Sequence, residues 1–349
     1  MVGALCIVMG LGLASAIGMA AAENKQKAVG ASQLAKNLSE KDQEKAKRCA
    51  DRTLDFILAQ QFEDGSFPMF PGQEKTTEGE ITGYAALALI GHGGLGEKSP
   101  YRAPLEKAID FLVSCQDESG RIGSTPNDNG SIYHHAYATA VLAKARGALD
   151  AERNERIEVA LPRAVGLLLA AQKVEKKALS QGGWRYTPTS GDSDLSCTAA
   201  AIFALHSARK AMVEVPDEAF GLAADYAERL QTGDGGFGYM TASNPDLARG
   251  GMGIFILTAA GRGNTGPAGK AIAYLHAQLE NSQGGGFLYY GVFWGSAATM
   301  SSGSRADEKL FASWMYPYFF SQQAEDGGFG KKGNRIVPAI SAALAMAAD

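Results

Sequence analysis

The sequence predicts an all-α fold, a closed double ring of six inner and six outer helices. Three observations carry this expectation. A short corner motif recurs six times, two kinds of helical segment alternate between the corners, and the last segment is as apolar as the middle ones. The fullest corner is Gln231-Thr-Gly-Asp-Gly-Gly-Phe237. Variants are Gln61-Phe-Glu-Asp-Gly-Ser-Phe67, Gln116-Asp-Glu-Ser-Gly-Arg-Ile122, Gln181-Gly-Gly-Trp184, Gln283-Gly-Gly-Gly-Phe287 and Gln323-Ala-Glu-Asp-Gly-Gly-Phe329. In each, a helix ends near the glutamine, glycine turns the chain, and a large apolar side chain fills the bend. The corner aromatics or their equivalents stand at 67, 122, 184, 237, 287 and 329, at spacings of 55, 62, 53, 50 and 42. A period of about 50 residues holding two helices is a repeat architecture. An open stack would need a polar terminal repeat. The final segment, Val337-Pro-Ala-Ile-Ser-Ala-Ala-Leu-Ala-Met346, offers none, so the ring is expected to close.

Taken in order, Met1 to Ala22 is apolar, built of small residues, and ends in Ala20-Ala21-Ala22 before Glu23. This is the pattern of a secretory signal, although no Lys or Arg precedes the run. A cleaved signal and an uncleaved membrane anchor are both open, with export expected. Residues 23–38 are polar and aperiodic and read as a flexible lead-in to a single domain over 39–349. Ser39 then reads as an N-cap with Asp42 three residues on, and Ala46, Ala50, Leu54, Ile57 and Leu58 keep one helical face apolar.

After the first corner, Glu78-Gly-Glu-Ile-Thr-Gly-Tyr-Ala-Ala-Leu-Ala-Leu-Ile90 is apolar almost all round, as a helix buried on most sides must be. The alternation continues through the chain. Amphipathic segments carry Leu105, Ala108, Leu112 and Cys115, then Ile157, Ala164 and Leu168 around Pro162, then Leu222, Tyr226 and Leu230, then Ile272, Leu275 and Leu279. Apolar segments follow at Tyr133–Leu142, Ser196–Leu205, Gly253–Ala260 and Ala312–Phe320. The last of these runs straight into the sixth corner, so one helix is expected to serve two repeats. Leu288-Tyr-Tyr-Gly-Val-Phe-Trp-Gly-Ser296 is then left over as an extra aromatic element.

Composition narrows the function classes. The 46% hydrophobic content supports a sizeable core, and a net charge of −4 leaves no basic footprint for nucleic acid. Glycine, at 43 of 349 residues, exceeds the usual ~7% because it punctuates the corners. With Cys6 inside the signal, Cys49, Cys115 and Cys197 allow one disulfide and one thiol, or none. The glycine-rich corners lack the Gly-Lys-Ser/Thr or strand–helix setting of a phosphate loop.

A glutamine, then glycine, then Trp or Phe at helix–helix corners with a two-helix period resembles the prenyltransferase and squalene-oxidase repeat family. The resemblance runs from about Ser39 to Ala348 and is strongest in Gly182-Gly-Trp-Arg-Tyr-Thr-Pro188 and from Leu288 to Phe329. It implies an (α/α)6 toroid with a ligand cavity inside the inner ring. The loops between each corner and its inner helix would form the mouth.

Three constellations at those junctions are candidates. Asp192-Ser-Asp194-Leu-Ser-Cys-Thr-Ala199 is similar to the Asp-x-Asp-Asp-Thr-Ala motif of the family's cyclases, in which the central, protonated carboxyl donates a proton to an alkene or epoxide. Asp194 takes the acid's place and Asp192 the first position, but Leu195 replaces the last aspartate. The same residues serve equally as an N-cap, by Asp194 or Ser196. The family's protein prenyltransferases hold zinc with Asp, Cys and His. Asp194, Cys197 and His134 or His135 supply those ligand types with a different spacing, so zinc is the only cofactor to consider and none is expected. Tyr84, Tyr133, Tyr137, Phe203, Phe255, Phe293, Trp294, Trp314, Tyr316 and Tyr318 are expected to face the ring interior, where they either solvate an isoprenoid chain or simply fill the barrel. Glu78, Glu80, Asp246, Arg249, Asp307 and Glu308 fall at other junctions, as mouth-lining groups or as partners of the helix dipole.

The resulting expectation is an exported toroid binding a hydrophobic, isoprenoid-like small molecule, another extended ligand or a protein. Tyr133, His134, His135, Tyr137, Trp294, Trp314 and Tyr316 are its candidate ligand contacts, and no transmembrane segment remains after signal cleavage. The alternatives are a terpenoid cyclase-like enzyme with Asp194 as general acid and a zinc-dependent prenyl-diphosphate transferase.

Overall fold

The computed structural model describes residues 32–69, 81–123, 131–281, 288–331 and 334–347. The Met1–Ala22 segment, Glu78, Glu80 and the Gln283–Phe287 corner lie outside the described residues. Among the described residues there are twelve α-helices: α1 Glu40–Leu58, α2 Thr82–Gly91, α3 Arg102–Ser114, α4 Ser131–Ala145, α5 Ala151–Lys173, α6 Leu195–Lys210, α7 Asp217–Arg229, α8 Leu247–Ala259, α9 Gly266–Asn281, α10 Leu288–Ser302, α11 Arg305–Gln322 and α12 Ile336–Ala345. No β-strand occurs among the described residues, only three isolated bridges, two of which join a corner glutamine to its aromatic or equivalent.

The even-numbered helices form the inner ring and the odd-numbered ones the outer. Each inner helix packs on the next, and α12 packs on both α2 and α1, which closes the circle. Sequence explains the division. Inner helices such as α6 and α8 are buried all round. In α1 the core residues Ala46, Cys49, Ala50, Thr53, Leu54, Phe56 and Ile57 occupy one face, and Lys and Glu cover the other. Ser39 caps α1 by accepting the Asp42 amide at 3.2 Å, as its spacing predicts. Pro162 lies inside α5.

The corners are clamps between neighbouring outer helices. Gln231 Nε2 donates to Gly235 O at 3.1 Å within its own corner and to Pro267 O, at the start of α9, at 2.9 Å. Gln61 and Gln116 repeat the pattern on Pro104 and Ala160. At the first three corners the amide of the aromatic or its equivalent also donates to a side chain of the following inner helix: Phe67 to Thr82 Oγ1, Ile122 to His135 Nδ1 and Trp184 to Thr198 Oγ1, at 3.0–3.1 Å.

Four expectations are corrected. The clamp of the third corner is Gln172, not Gln181: buried Gln172 donates to Gly182 O at 2.8 Å and Ala219 O at 2.9 Å. Leu288–Ser296 is not an extra element but the start of the fifth inner helix, α10. The Ala312–Phe320 segment belongs to outer helix α11. It is rich in aromatics because it packs Phe311, Met315, Tyr316 and Phe319 inward, not because it faces the ring axis. Finally, residues 32–38 hold a short 3-10 turn, Ala35–Asn37, with Leu34 fully buried and Gln33 donating to Glu308 Oε1 at 3.2 Å.

Candidate functional site

The N-terminal ends of the inner helices gather at one end of the ring, and α6 carries the expected acid there. Asp194 is the N-cap of α6, fully buried, with Oδ1 accepting the Cys197 amide at 2.8 Å. Its other oxygen accepts from Arg185 Nη1 at 3.0 Å. Arg185 lies over the rings of Tyr186 and Tyr239, 4.5 and 5.6 Å from their centroids, and those two hydroxyls are 2.6 Å apart. Asp192 is more exposed and stands 3.8 Å from Arg185 Nε. Burial pushes the Asp194 carboxyl up from its usual range, opposed by the Cys197 amide and by the Arg185 charge. Tyr133 leans on Tyr186 with centroids 6.1 Å apart and hydrogen-bonds Ser196, its hydroxyl also pushed up by burial.

Below this cluster the ring axis is filled by aromatic side chains. Tyr84 and Tyr137 lie 4.9 Å apart, Tyr84 and Phe293 5.7 Å, and Phe293 and Trp294 5.0 Å. The Tyr84 hydroxyl meets Ser341 Oγ at 2.9 Å and the Tyr137 hydroxyl meets that of Tyr290 at 3.0 Å, so these polar tips are satisfied inside the barrel.

At the opposite end, where the inner helices finish, a cavity of about 370 Å³ opens on the axis. Its wall is largely apolar, with Leu87, Ile90, Phe203, Phe255, Phe293, Met300 and Leu344, interrupted by Ser207, Ser296 and Ser301, and its rim carries Lys144, His206 and Lys210. The volume lies in the range that admits small molecules. Reading the sequence for corner-to-helix junctions misses this end. The available signal was the pair of lysines closing α4 and α6, which are otherwise apolar inner helices.

The remaining candidates fall elsewhere. His135 faces outward from α4 as a corner residue: Nδ1 accepts the Ile122 amide and Nε2 donates to Ala164 O at 2.9 Å. Burial lowers its pKa to about 4, and both ring nitrogens are engaged in holding the corner. His134 is half-buried in the first turn of α4. Trp314 and Tyr316 are on outer helix α11, not in the ring. Trp314 stacks on Tyr318 at 5.7 Å, and Tyr316 is buried. Asp246 caps α8 and pairs with Arg249. Asp307 and Glu308 belong to the first turn of α11, away from any inner-helix junction. Among the described residues no three His, Cys, Asp or Glu side chains converge as a metal site would need, and Cys49, Cys115 and Cys197 are all free thiols. No described helix is long and apolar enough to cross a membrane.

The prenyltransferase alpha-alpha toroid domain family matches the chain over residues 27–121 and 95–348. The chain belongs to this family. The toroid also resembles solved structures of low identity. The type II terpene cyclase MstE from Scytonema is 14% identical with a TM-score of 0.57, the match covering 87% of this chain and 98% of that one. The GH76A alpha-1,6-mannanase of Salegentibacter sp. HEL1_6 is 8% identical with a TM-score of 0.60, covering 87% and 97%. Variants of these two enzymes are solved with geranylgeranyl dihydroxybenzoate and with alpha-1,6-mannotriose respectively. One scaffold thus accepts an isoprenoid and an oligosaccharide, so the likeness establishes the fold and leaves the ligand to the site. No curated protein sequence matches the chain.

Proposed function

We propose that this toroid is a binding protein that takes one elongated, apolar small molecule into the ring, without proton-donor chemistry at Asp194. The observation that carries this reading is the axial cavity of about 370 Å³ walled by Phe203, Phe255, Phe293 and Met300. It is supported by the state of Asp194, whose two oxygens accept from the Cys197 amide and from Arg185 with no surface left exposed. A general acid must present a proton to its substrate. Asp194 instead serves a helix terminus and a cation. The apolar Met1–Ala22 segment supports export of the mature chain. Extraction of the purified native protein followed by lipid mass spectrometry should yield one apolar species at near-equimolar amount. Protein extracted under native conditions and free of any such species, and unable to take up a long-chain alcohol, would refute the proposal.

The cyclase-like alternative draws on one observation, that burial raises the Asp194 carboxyl toward the protonated form. Incubation with squalene or a shorter polyene decides it: product that forms in wild type and vanishes in Asp194→Asn would favour the enzyme.

A further inference from the structure

The cavity at the finishing end of the inner helices has a charge pattern that an apolar ligand alone does not need. Lys144 stands in the last turn of α4, and Lys210 and Arg209 in the last turn of α6. His206 lies one helical turn before Lys210 and lines the same cavity. No Asp or Glu is among the described residues lining it. Cations at helix C-termini offset the carbonyl dipoles, and that accounts for a lysine at each end. It does not account for the histidine between them. His206 Nδ1 is buried without a hydrogen-bond partner. The ring feels Lys210, Arg209 and Lys144 as like charges, which, after burial, are what lower its pKa to about 4. Arg209 is held by Asp217 at 2.9 Å and by the Ala259 carbonyl. The crowding is relieved by an anion at the rim.

Resting on the reading of the ring as a binding site for an apolar molecule, we propose that its ligand is an anionic amphiphile. A single long apolar chain lies on Phe203, Phe255 and Phe293, and one carboxylate or phosphate head is held at the rim by Lys144, His206 and Lys210. Entry is then from the finishing end of the inner helices, the end opposite to Asp194. An apolar wall orients the chain, and the rim charges select the head, because each opposite-charge contact at a partly buried rim outweighs one in bulk water.

The test is titration calorimetry with dodecanoate, dodecyl phosphate, dodecanol and dodecyltrimethylammonium, all below their micellar concentrations. Wild type is expected to bind one dodecanoate or dodecyl phosphate at least tenfold more tightly than dodecanol, and the cation not at all. The preferred head, carboxylate or phosphate, is read from the first two. The Lys144→Gln/Lys210→Gln double variant should lose that tenfold preference while retaining dodecanol binding. Ala297→Phe, which fills the cavity, should abolish binding of every probe. Equal affinity for dodecanol and dodecanoate, unchanged in the double variant, overturns the anionic head and leaves the apolar-ligand reading standing. Binding indifferent to Ala297→Phe overturns the location. Failure of all four probes in folded wild type overturns both readings.

Discussion

The side-chain amide of Gln323 donates to the main-chain carbonyl of Cys49, 2.8 Å away and 274 residues earlier in the chain. The same nitrogen lies 2.9 Å from Thr53 Oγ1. This bond joins the sixth corner to the first outer helix and repeats, across the ends of the ring, what Gln61 and Gln231 do between neighbours. Gln323→Leu removes these contacts and the one to Gly327 O, while Thr53 Oγ1 still donates to Cys49 O at 2.7 Å, so the loss is that of the clamp's own hydrogen bonds, about 1 kcal/mol. Urea unfolding should show the midpoint falling with an unchanged slope. A variant as stable as wild type would mean that closure does not depend on the clamp.

Within the fullest corner, Gly235 and Gly233 have opposite tolerances. Gly235 has φ +95° and its missing Cβ would sit 2.4 Å from Lys270 O, whereas a Cβ on Gly233 meets nothing within 4 Å. Gly235→Ala therefore strains the backbone and pushes α9 from the corner, costing more than about 2 kcal/mol. Gly233→Ala should stay within about 0.5 kcal/mol of wild type. Equal thermal midpoints for the two variants would contradict the close approach.

The fold was legible because its determinants are local and repeated. Every corner glycine and every apolar helix face states the same requirement, so an irregular copy such as the one clamped by Gln172 does not obscure the period. The site was legible only where a residue's role is local. Asp194 capping α6 follows from its place before an apolar run, and Asp246 capping α8 likewise. The partner of Asp194 was not: Arg185 lies nine residues earlier, across a loop whose path the pattern does not give. Trp314 and Tyr316 were placed in the ring because α11 is rich in aromatics, and periodicity alone does not say which neighbour a face meets. Lys144, His206 and Lys210 come together only because α4 and α6 are adjacent in a closed ring and finish at the same end.

Asp194 and Arg185 should be coupled in stability, not in catalysis. Asp194→Asn keeps a good capping side chain but leaves the half-buried guanidinium only Asp192 at 3.8 Å as a carboxylate partner, at a cost of about 1–3 kcal/mol. Arg185→Gln leaves a buried carboxylate without its cation and should cost a similar amount. The double variant is expected to lose less than the sum, with an interaction of about 1–3 kcal/mol in a double-mutant cycle read by urea unfolding. Strict additivity would show that the 3.0 Å contact contributes nothing.

Stability should fall as the solution is acidified from neutrality, and His135 should be a principal cause. Its pKa is about 4 in the folded ring, against 6.5 for an ordinary histidine, because burial disfavours the charged form. His92 and His206 are lowered as well, chiefly by burial. A group with a lowered folded pKa takes up its proton in the unfolded chain first. Between pH 6.5 and about 4 the unfolded state therefore binds more protons, and stability rises with pH across that window and levels off above it. For His135 alone, the loss on going from pH 7 to pH 5 is about 2 kcal/mol. His135→Thr separates this from the other two histidines. Thr82 and Thr198 already fill the equivalent place at their corners, so a threonine hydroxyl can accept the Ile122 amide as they accept those of Phe67 and Trp184. The variant should be less stable than wild type at pH 7 by about 1 kcal/mol for the lost bond to Ala164 O. At pH 5 it should draw level with or pass wild type, because it no longer carries a group that must stay neutral. Urea unfolding of both proteins at the two pH values measures this crossing. Parallel pH profiles would mean that His135 is not held neutral by the fold.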